Sequence, residues 1–390
     1  KAQAQFQIQR SALAPQLAAQ GSATRGNNQN TGELGNTFIA GVTVPAWELD
    51  FFGRIRSLKS AALAQYFATD EARQAYELAL VASVAQGWLT LLADEELLEL
   101  SSRTLATRQE SMRLTQLRFD TGISSELDLR QAQSLVEAAR VTTAQQKRQR
   151  AEHENALVLL LGQELPASAR SALQTTRLAT IAPMADIPAG LPSDLLVRRP
   201  DIQAAEQQLR AAHAQIGAAR AAFLPRIALT AMAGSANSEL GELFGSGTGG
   251  WLFQPSISLP LFTAGKLQNN LNLAEVRRDA AVAQYEKAVQ GAFRDVSDAL
   301  AAQQGLAQQV QVLDDMHATQ AERARLSRLR YDNGAARFFE VLDAERDLLA
   351  TAQQRVQTRR ALLSSRVALY AALGGDADTT SISRKASATP

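Results

Sequence analysis

The chain of 390 residues contains no cysteine, which excludes disulfide bridges and thiolate metal sites within it. Aromatic residues make up only 5%, too few for one thick globular core. Alanine and glutamine abound instead, a balance that suits long helices packed closely through small side chains. Neither sign of charge prevails: 40 basic residues face 39 acidic ones, for a net charge of +1, so nothing favours nucleic acid or a strongly acidic partner. No run of 18 apolar residues is found, and a membrane-spanning helix is therefore not expected.

Chemistry-bearing clusters are missing too. His153, His213 and His317 are isolated and lack metal-ligand spacing. No serine, histidine and aspartate arrangement stands out, so neither an enzyme nor a cofactor or metal is expected. Gly245, Gly247, Gly249 and Gly250 lie between two expected strands rather than between a strand and a helix, which argues against a phosphate cradle.

What the chain does contain is one ten-residue stretch, twice. Arg113 to Gly122 reads RLTQLRFDTG and Arg325 to Gly334 reads RLSRLRYDNG, with six identical positions. The copies lie 212 residues apart, and the same offset pairs Gly53 with Gly265 and Gly162 with Gly374. Two units of 110 residues therefore share one plan, and equal spacing carries that inference. With a duplicated unit, two interleaved halves of one elongated body are as natural a reading as two or three separate domains.

The chain opens with KAQAQFQIQRSALAP, which resembles Ala211 to Pro225, so residue 1 is expected to fall inside a helix ending near residue 14, with any targeting sequence missing. Pro15 stops it. Gln16, Gln20, Ser22 and Thr24 then alternate with Leu17, Ala19, Gly21 and Ala23, which is strand periodicity. A glycine and asparagine loop over Gly26 to Asn36 leads to a returning strand, Phe38, Ala40, Val42 and Val44, which Pro45 is expected to end. From Gly53 to Asp120 there is no proline and almost no glycine, a helix of roughly 100 Å at 1.5 Å per residue. Gly122 stops that helix, and Ser125 with Asp128 three residues on gives a capping-box start to a second one reaching about Leu161. A tight turn between long helices makes them antiparallel.

An irregular segment over residues 163–199 follows, and then the programme repeats. A helix is expected over 200–224, two strands over 225–260, a second helical hairpin over 261–375 and a polar tail over 376–390. The strands over 15–45 and the first hairpin over 46–162 are their counterparts. The expected fold is mainly α, with four strands and long antiparallel helical hairpins in two repeats. Strands of nine or ten residues, polar on one face and apolar on the other, are long enough for a membrane barrel. Four strands cannot close one, so several chains would be needed. A soluble β-subdomain capping a coiled coil fits the same pattern.

WELDFFGRIR (Trp47 to Arg56), LPSDLLVRRPDI (Leu191 to Ile202), AAFLPRIAL (Ala221 to Leu229), PLFTAGK (Pro260 to Lys266) and the two repeated tips occur in an order that resembles one family, across essentially the whole chain. That family is the trimeric outer-membrane efflux ducts typified by TolC and OprM, and LPSDLLVRRPDI resembles its lipoprotein branch. The resemblance implies a homotrimer with a twelve-stranded β-barrel in outer-membrane lipid and a twelve-helix barrel in the periplasm. It implies a periplasmic adaptor protein and an inner-membrane RND pump as partners, drugs or other small molecules as cargo, and an N-terminal lipidated cysteine that this chain lacks. Another tripartite exporter, for secretion or metal efflux, is the alternative, and a poreless coiled-coil scaffold is the rival. By the same resemblance, the tips with Arg118, Asp120, Gly122, Arg330, Asp332 and Gly334 dock the adaptor. Arg337, Phe339, Glu340 and Asp343 form the periplasmic gate, with Asp343 as a threefold ring of like charges. The first unit has Gln131 where Asp343 stands in the second, so the gate falls mainly to the second hairpin. The competing readings are that the tip residues only cap helices and pair within the chain, and that the gate residues form a solvated charged helix face.

Overall fold

The computed structural model describes residues 1–27, 34–181 and 199–375. In chain order the elements are α1 (Ala2–Ser11), β1 (Ala18–Asn27), β2 (Leu34–Leu49), α2 (Arg54–Asp120), α3 (Glu126–Leu161), α4 (Ala167–Thr175), α5 (Pro200–Ala221), β3 (Arg226–Asn237), β4 (Gly249–Ser258), α6 (Lys266–Asp332) and α7 (Phe338–Ala372). Short 3-10 turns occupy Leu178–Thr180 and Leu240–Glu242. Part of the expected loop over Gly26 to Asn36, most of LPSDLLVRRPDI and the tail over 376–390 lie outside the described residues. The chain divides into two compact units, residues 1–74 with 200–290 and residues 75–199 with 291–390.

The first unit holds the sheet, an antiparallel meander in the order β1-β2-β3-β4. Its register sorts the side chains. Gln20 pairs with Gly41, Gly41 with Gly234, and Gly234 with Gly250. Because side chains alternate along a strand, Gln20, Ser22 and Thr24 of β1 share one face with Gln254, Ser256 and Ser258 of β4. The opposite face carries Val42, Ala40, Trp251, Phe253 and Ile257, and the last three are exposed.

Pro45 does not end β2, contrary to expectation. The strand continues to Leu49 through an irregularity between Val44 and Trp47, with Ala46 at φ 38°. Proline has no N–H for the ladder, and a bulge is the place in a strand where one is not required. Beyond it the WELDFFGRIR stretch becomes a junction. Buried Glu48 accepts both nitrogens of Arg54 at 2.8 and 2.7 Å and pairs with Arg226 at 2.6 Å, tying β2 to α2 and β3. Asp50 accepts the backbone N–H groups of Ile55 and Arg56 at 3.0 and 2.8 Å, which satisfies orphan donors at the start of α2. The helices of this unit pack through small residues, among them buried Ala61, Ala64, Ala68, Ala211, Ala218 and Ala274.

The second unit has a larger-residue core of Leu89, Leu91, Leu92, Leu97, Leu157 and Leu173, with Trp88 and Val84 against it. Helix α2 contains an 18-residue window of mean hydropathy 1.3, so by length and composition alone it is apolar enough to cross a membrane. A search for unbroken runs passes over this window because polar residues interrupt the leucines, and a packed core helix meets the same criterion. Those leucines pack against α3 and α4 within the unit. Arg199, the described end of the LPSDLLVRRPDI stretch before α5, is buried and holds α7 to α6, donating to the Ala372 carbonyl at 2.9 Å and to Asp295 at 3.3 Å.

One close approach in the sheet yields a test. A methyl group on Gly41 would lie 2.5 Å from the Ala233 carbonyl oxygen and 2.8 Å from Gly234 Cα, whereas one on Gly35 would meet nothing within 4 Å. Gly41→Ala is expected to destabilise the sheet by about 1–3 kcal/mol, the usual cost of overpacking. Gly35→Ala should leave it unchanged. Thermal unfolding of the detergent-extracted protein followed by circular dichroism distinguishes the two.

Candidate functional site

The two repeated tips are the same object at the level of single hydrogen bonds. In the first, Gly122 N–H donates to Phe119 O at 2.9 Å and Ile123 N–H to Arg118 O at 2.8 Å; in the second, Gly334 N–H donates to Tyr331 O at 2.9 Å and Ala335 N–H to Arg330 O at 2.8 Å. This pair of bonds closes a helix with a left-handed residue, and both glycines sit at φ +73°. A side chain there would be strained, which explains why glycine recurs in both copies.

The entries to the following helices differ. Ser125 caps α3 as expected: its hydroxyl oxygen accepts the Asp128 N–H at 3.1 Å, and the Asp128 carboxylate faces the Ser125 N–H at 3.4 Å. At the matching positions of α7 stand Arg337 and Glu340. Arg337 provides no side-chain cap, and Glu340 instead accepts Arg330 Nη1 at 3.2 Å. Among the described residues the Arg337 side chain has no ion pair or hydrogen bond, so it is not brought together with the rest of the expected gate.

Phe339, Glu340 and Asp343 do share a groove of ≈ 880 Å³ between α6 and α7. Phe339 is 64% exposed there, while its neighbour Phe338 is buried with Val341 and Ala132 beneath the tip. Asp343, expected to form a threefold ring of like charges, pairs with two cations of its own chain. Its carboxylate accepts Arg323 Nη2 and Arg346 Nη2, each at 2.6 Å. Asp347 accepts Arg323 Nη1 at 2.7 Å and Arg346 at 3.1 Å, which holds its carboxyl below the usual range. Arg323, Arg346 and Asp347 were not singled out in the sequence. DAERD at residues 343–347 contains the three-residue and four-residue spacings that reveal part of the cluster, but Arg323 joins it only through the hairpin.

The tip residues also meet across the two hairpins. Arg118 lies 3.7 Å from Asp332 and its guanidinium sits 4.9 Å from the Tyr331 ring centroid, while Tyr331 packs on Phe338 at 5.1 Å. Arg328 reaches Asp332 at 3.6 Å, Ser111 at 3.4 Å and Glu345 at 3.9 Å. Burial pushes the Glu345 carboxyl up, against the pull of Arg328 and Arg108. Asp120 stays on its own helix, accepting Gln116 at 2.8 Å. In-chain pairing therefore accounts for much of the polarity of the tips.

A family model described as outer membrane efflux protein matches residues 1–163 and 191–375, which takes in both repeats. The chain belongs to the outer membrane efflux protein family. Two relatives from Pseudomonas putida, named the antibiotic efflux pump outer membrane protein ArpC and the toluene efflux pump outer membrane protein TtgC, are each 45% identical over 378 residues, covering 95% of this chain and 77% of theirs. The open-state crystal structure of the Neisseria gonorrhoeae MtrE outer membrane channel is similar with a TM-score of 0.87 and 37% identity, covering 96% of this chain and 83% of that one. An outer membrane efflux protein has its place in the outer membrane, and the exposed Trp251, Phe253 and Ile257 suit lipid there.

The difference between the helix entries is testable. Ser125→Ala should cost the first hairpin about 1 kcal/mol, as loss of an N-cap does, whereas Arg337→Ala removes no cap. Hydrogen–deuterium exchange should show faster exchange at residues 126–129 in the first variant and no change at the start of α7 in the second.

Proposed function

We propose that this outer membrane efflux protein is one third of a passive duct, a homotrimer through which small organic molecules leave the cell. The observation that carries the proposal is the sheet: four strands, one polar face, one apolar face, and an unpaired edge on both β1 and β4. Unpaired backbone groups are not tolerated in lipid, so β4 of one copy must pair with β1 of the next until the wall closes. Three copies give a twelve-stranded barrel lined by Gln20, Ser22, Gln254 and Ser256, and their hairpins a twelve-helix periplasmic barrel. Electron microscopy of the full-length protein extracted in detergent should show a threefold particle with a central channel; a water-soluble monomer would end the proposal.

The two Pseudomonas putida names, for an antibiotic and a toluene pump, support small organic cargo here as well. An inner-membrane RND pump supplies the energy in this reading. A periplasmic adaptor docks on the tips, where the outward backbone of the two glycine turns and the adjoining Arg118, Asp120, Arg330 and Asp332 offer polar contacts.

Closure of the periplasmic mouth then depends on contacts between the hairpins. Arg118 contributes an exposed ion pair to Asp332 and a cation–π contact to Tyr331, together about 1–2 kcal/mol after allowing for solvent. Arg118→Ala should therefore shift the closed-to-open balance several-fold toward open, read as higher single-channel conductance in planar bilayers. Asp343→Ala with Glu340→Ala should act in the same direction by releasing Arg323, Arg346 and Arg330. Conductance indistinguishable from the parent in both variants would refute the assignment of the gate.

A further inference from the structure

A second cavity of ≈ 770 Å³ lies in the unit formed by residues 75–199 and 291–390, walled by α2, α6 and α7 and by the 3-10 turn Leu178–Thr180. Its volume falls in the range of small-molecule sites, about 300–1,000 Å³. It is not the groove that holds Phe339 and Asp343, because the two share no lining residue.

Its chemistry is two-sided. Leu100, Leu348, Leu349, Ala352 and Val356 make an aliphatic floor, and the His317 ring is the one aromatic among its described lining residues. A floor of aliphatic side chains suits an alkyl chain. Around the floor stand six arginines against three glutamates, a positive excess. Most of these arginines are engaged: Arg103 and Arg177 share Glu99 at 2.9 and 2.7 Å, and Arg355 and Arg359 share Asp314 at 3.8 and 2.7 Å.

Arg108 is different. It makes one hydrogen bond, to the Leu135 carbonyl at 3.2 Å, its Nε is buried without a partner, and among the described residues no carboxylate lies within ion-pair distance of it. Burial pulls its guanidinium below the ordinary value, with the Glu345 charge only partly offsetting this. A half-buried guanidinium whose Nε is buried without a partner is a costly arrangement unless an acceptor reaches it.

We infer that this cavity binds a single-chain amphiphilic anion, with the head group on Arg108 and the alkyl chain along Leu348, Leu349 and Val356. Such a ligand would touch α2 of the first hairpin and α6 and α7 of the second at once. Any effect on the mouth would rest on the duct reading, but the binding site does not.

The test is native mass spectrometry of the full-length protein in a non-ionic detergent, titrated with dodecanoic acid and, separately, with its uncharged carboxamide. The acid should give one saturable adduct per chain and bind at least about tenfold more tightly than the amide, as expected for a charge-assisted contact. Arg108→Gln should lose that preference, Arg108→Lys should keep most of it, and Arg140→Gln, on an exposed stretch of α3, should change nothing. Ala352→Phe should block the adduct while leaving the oligomer mass intact. Equal binding of acid and amide, unchanged binding in both Arg108→Gln and Ala352→Phe, or adducts that accumulate without saturating would each overturn the inference. A failure of the protein to form trimers, with the adduct preserved, would count against the duct and not against this site.

Discussion

A strand edge carries N–H and C=O groups that hydrocarbon cannot satisfy, and the organisation of this chain follows from that constraint. The meander leaves one edge at β1 and another at β4. The register places Gln20 and Ser22 on the same face as Gln254 and Ser256, although these residues come from opposite halves of the sequence. A wall with a wet side and a dry side is thus prepared in each copy, and what remains is to close it. Gly41 and Gly234 oppose each other at the centre of the sheet, where the backbones approach too closely for a Cβ on either. The wet face there is bare backbone, which keeps side chains out of the space that the wall encloses.

The helices solve a different problem, that of staying packed without a thick core. In the unit with the sheet they do so through alanine, which lets neighbouring helices approach closely at no rotamer cost. The other unit relies on leucine, from α2, α3 and α4. Where strand meets helix, Glu48 between Arg54 and Arg226 and Asp50 on the first amides of α2 turn the chain sharply while leaving few polar groups unsatisfied. That junction is the physical content of the WELDFFGRIR stretch, and it concerns folding rather than transport.

Much of this was legible in one sequence because it rests on local or periodic rules. The offset of 212 residues located both hairpins, the Ser125 and Asp128 spacing located a helix start, and alternation in β1 and β4 separated the faces. Three things were not legible, each for its own reason. Proline was read as a stop at Pro45 because its missing N–H is local knowledge, whereas the bulge that accommodates it depends on the register with β3. The hydropathy of α2 was underestimated because continuous runs were sought and an average matters. The partners of Asp343 stayed hidden because Arg323 is twenty residues away along the chain and becomes a neighbour only when α6 folds back on α7.

The divergence between the copies bears on the proposed gate more than their likeness does. Both turns close with the same two backbone bonds, so the turn itself cannot be what distinguishes one hairpin from the other. In the first hairpin the acid after the turn is engaged locally: Asp128 completes a box with Ser125 and accepts the Ser124 hydroxyl at 3.3 Å. At the matching place in the second hairpin Ser has become Arg337, the box is gone, and Glu340 is free to take Arg330 across the turn. Three positions on, Gln131 of the first copy corresponds to Asp343 of the second, which binds Arg323 and Arg346. Glu340 and Asp343 thus replace a self-contained and a neutral group with charges that each reach an arginine of α6. Pairs of that kind are exposed, individually weak and reversible, whereas a capping box is lost only with the end of its helix. Under the proposed duct function, reversible pairs of the first sort suit a hairpin that moves and a capping box suits one that stays fixed.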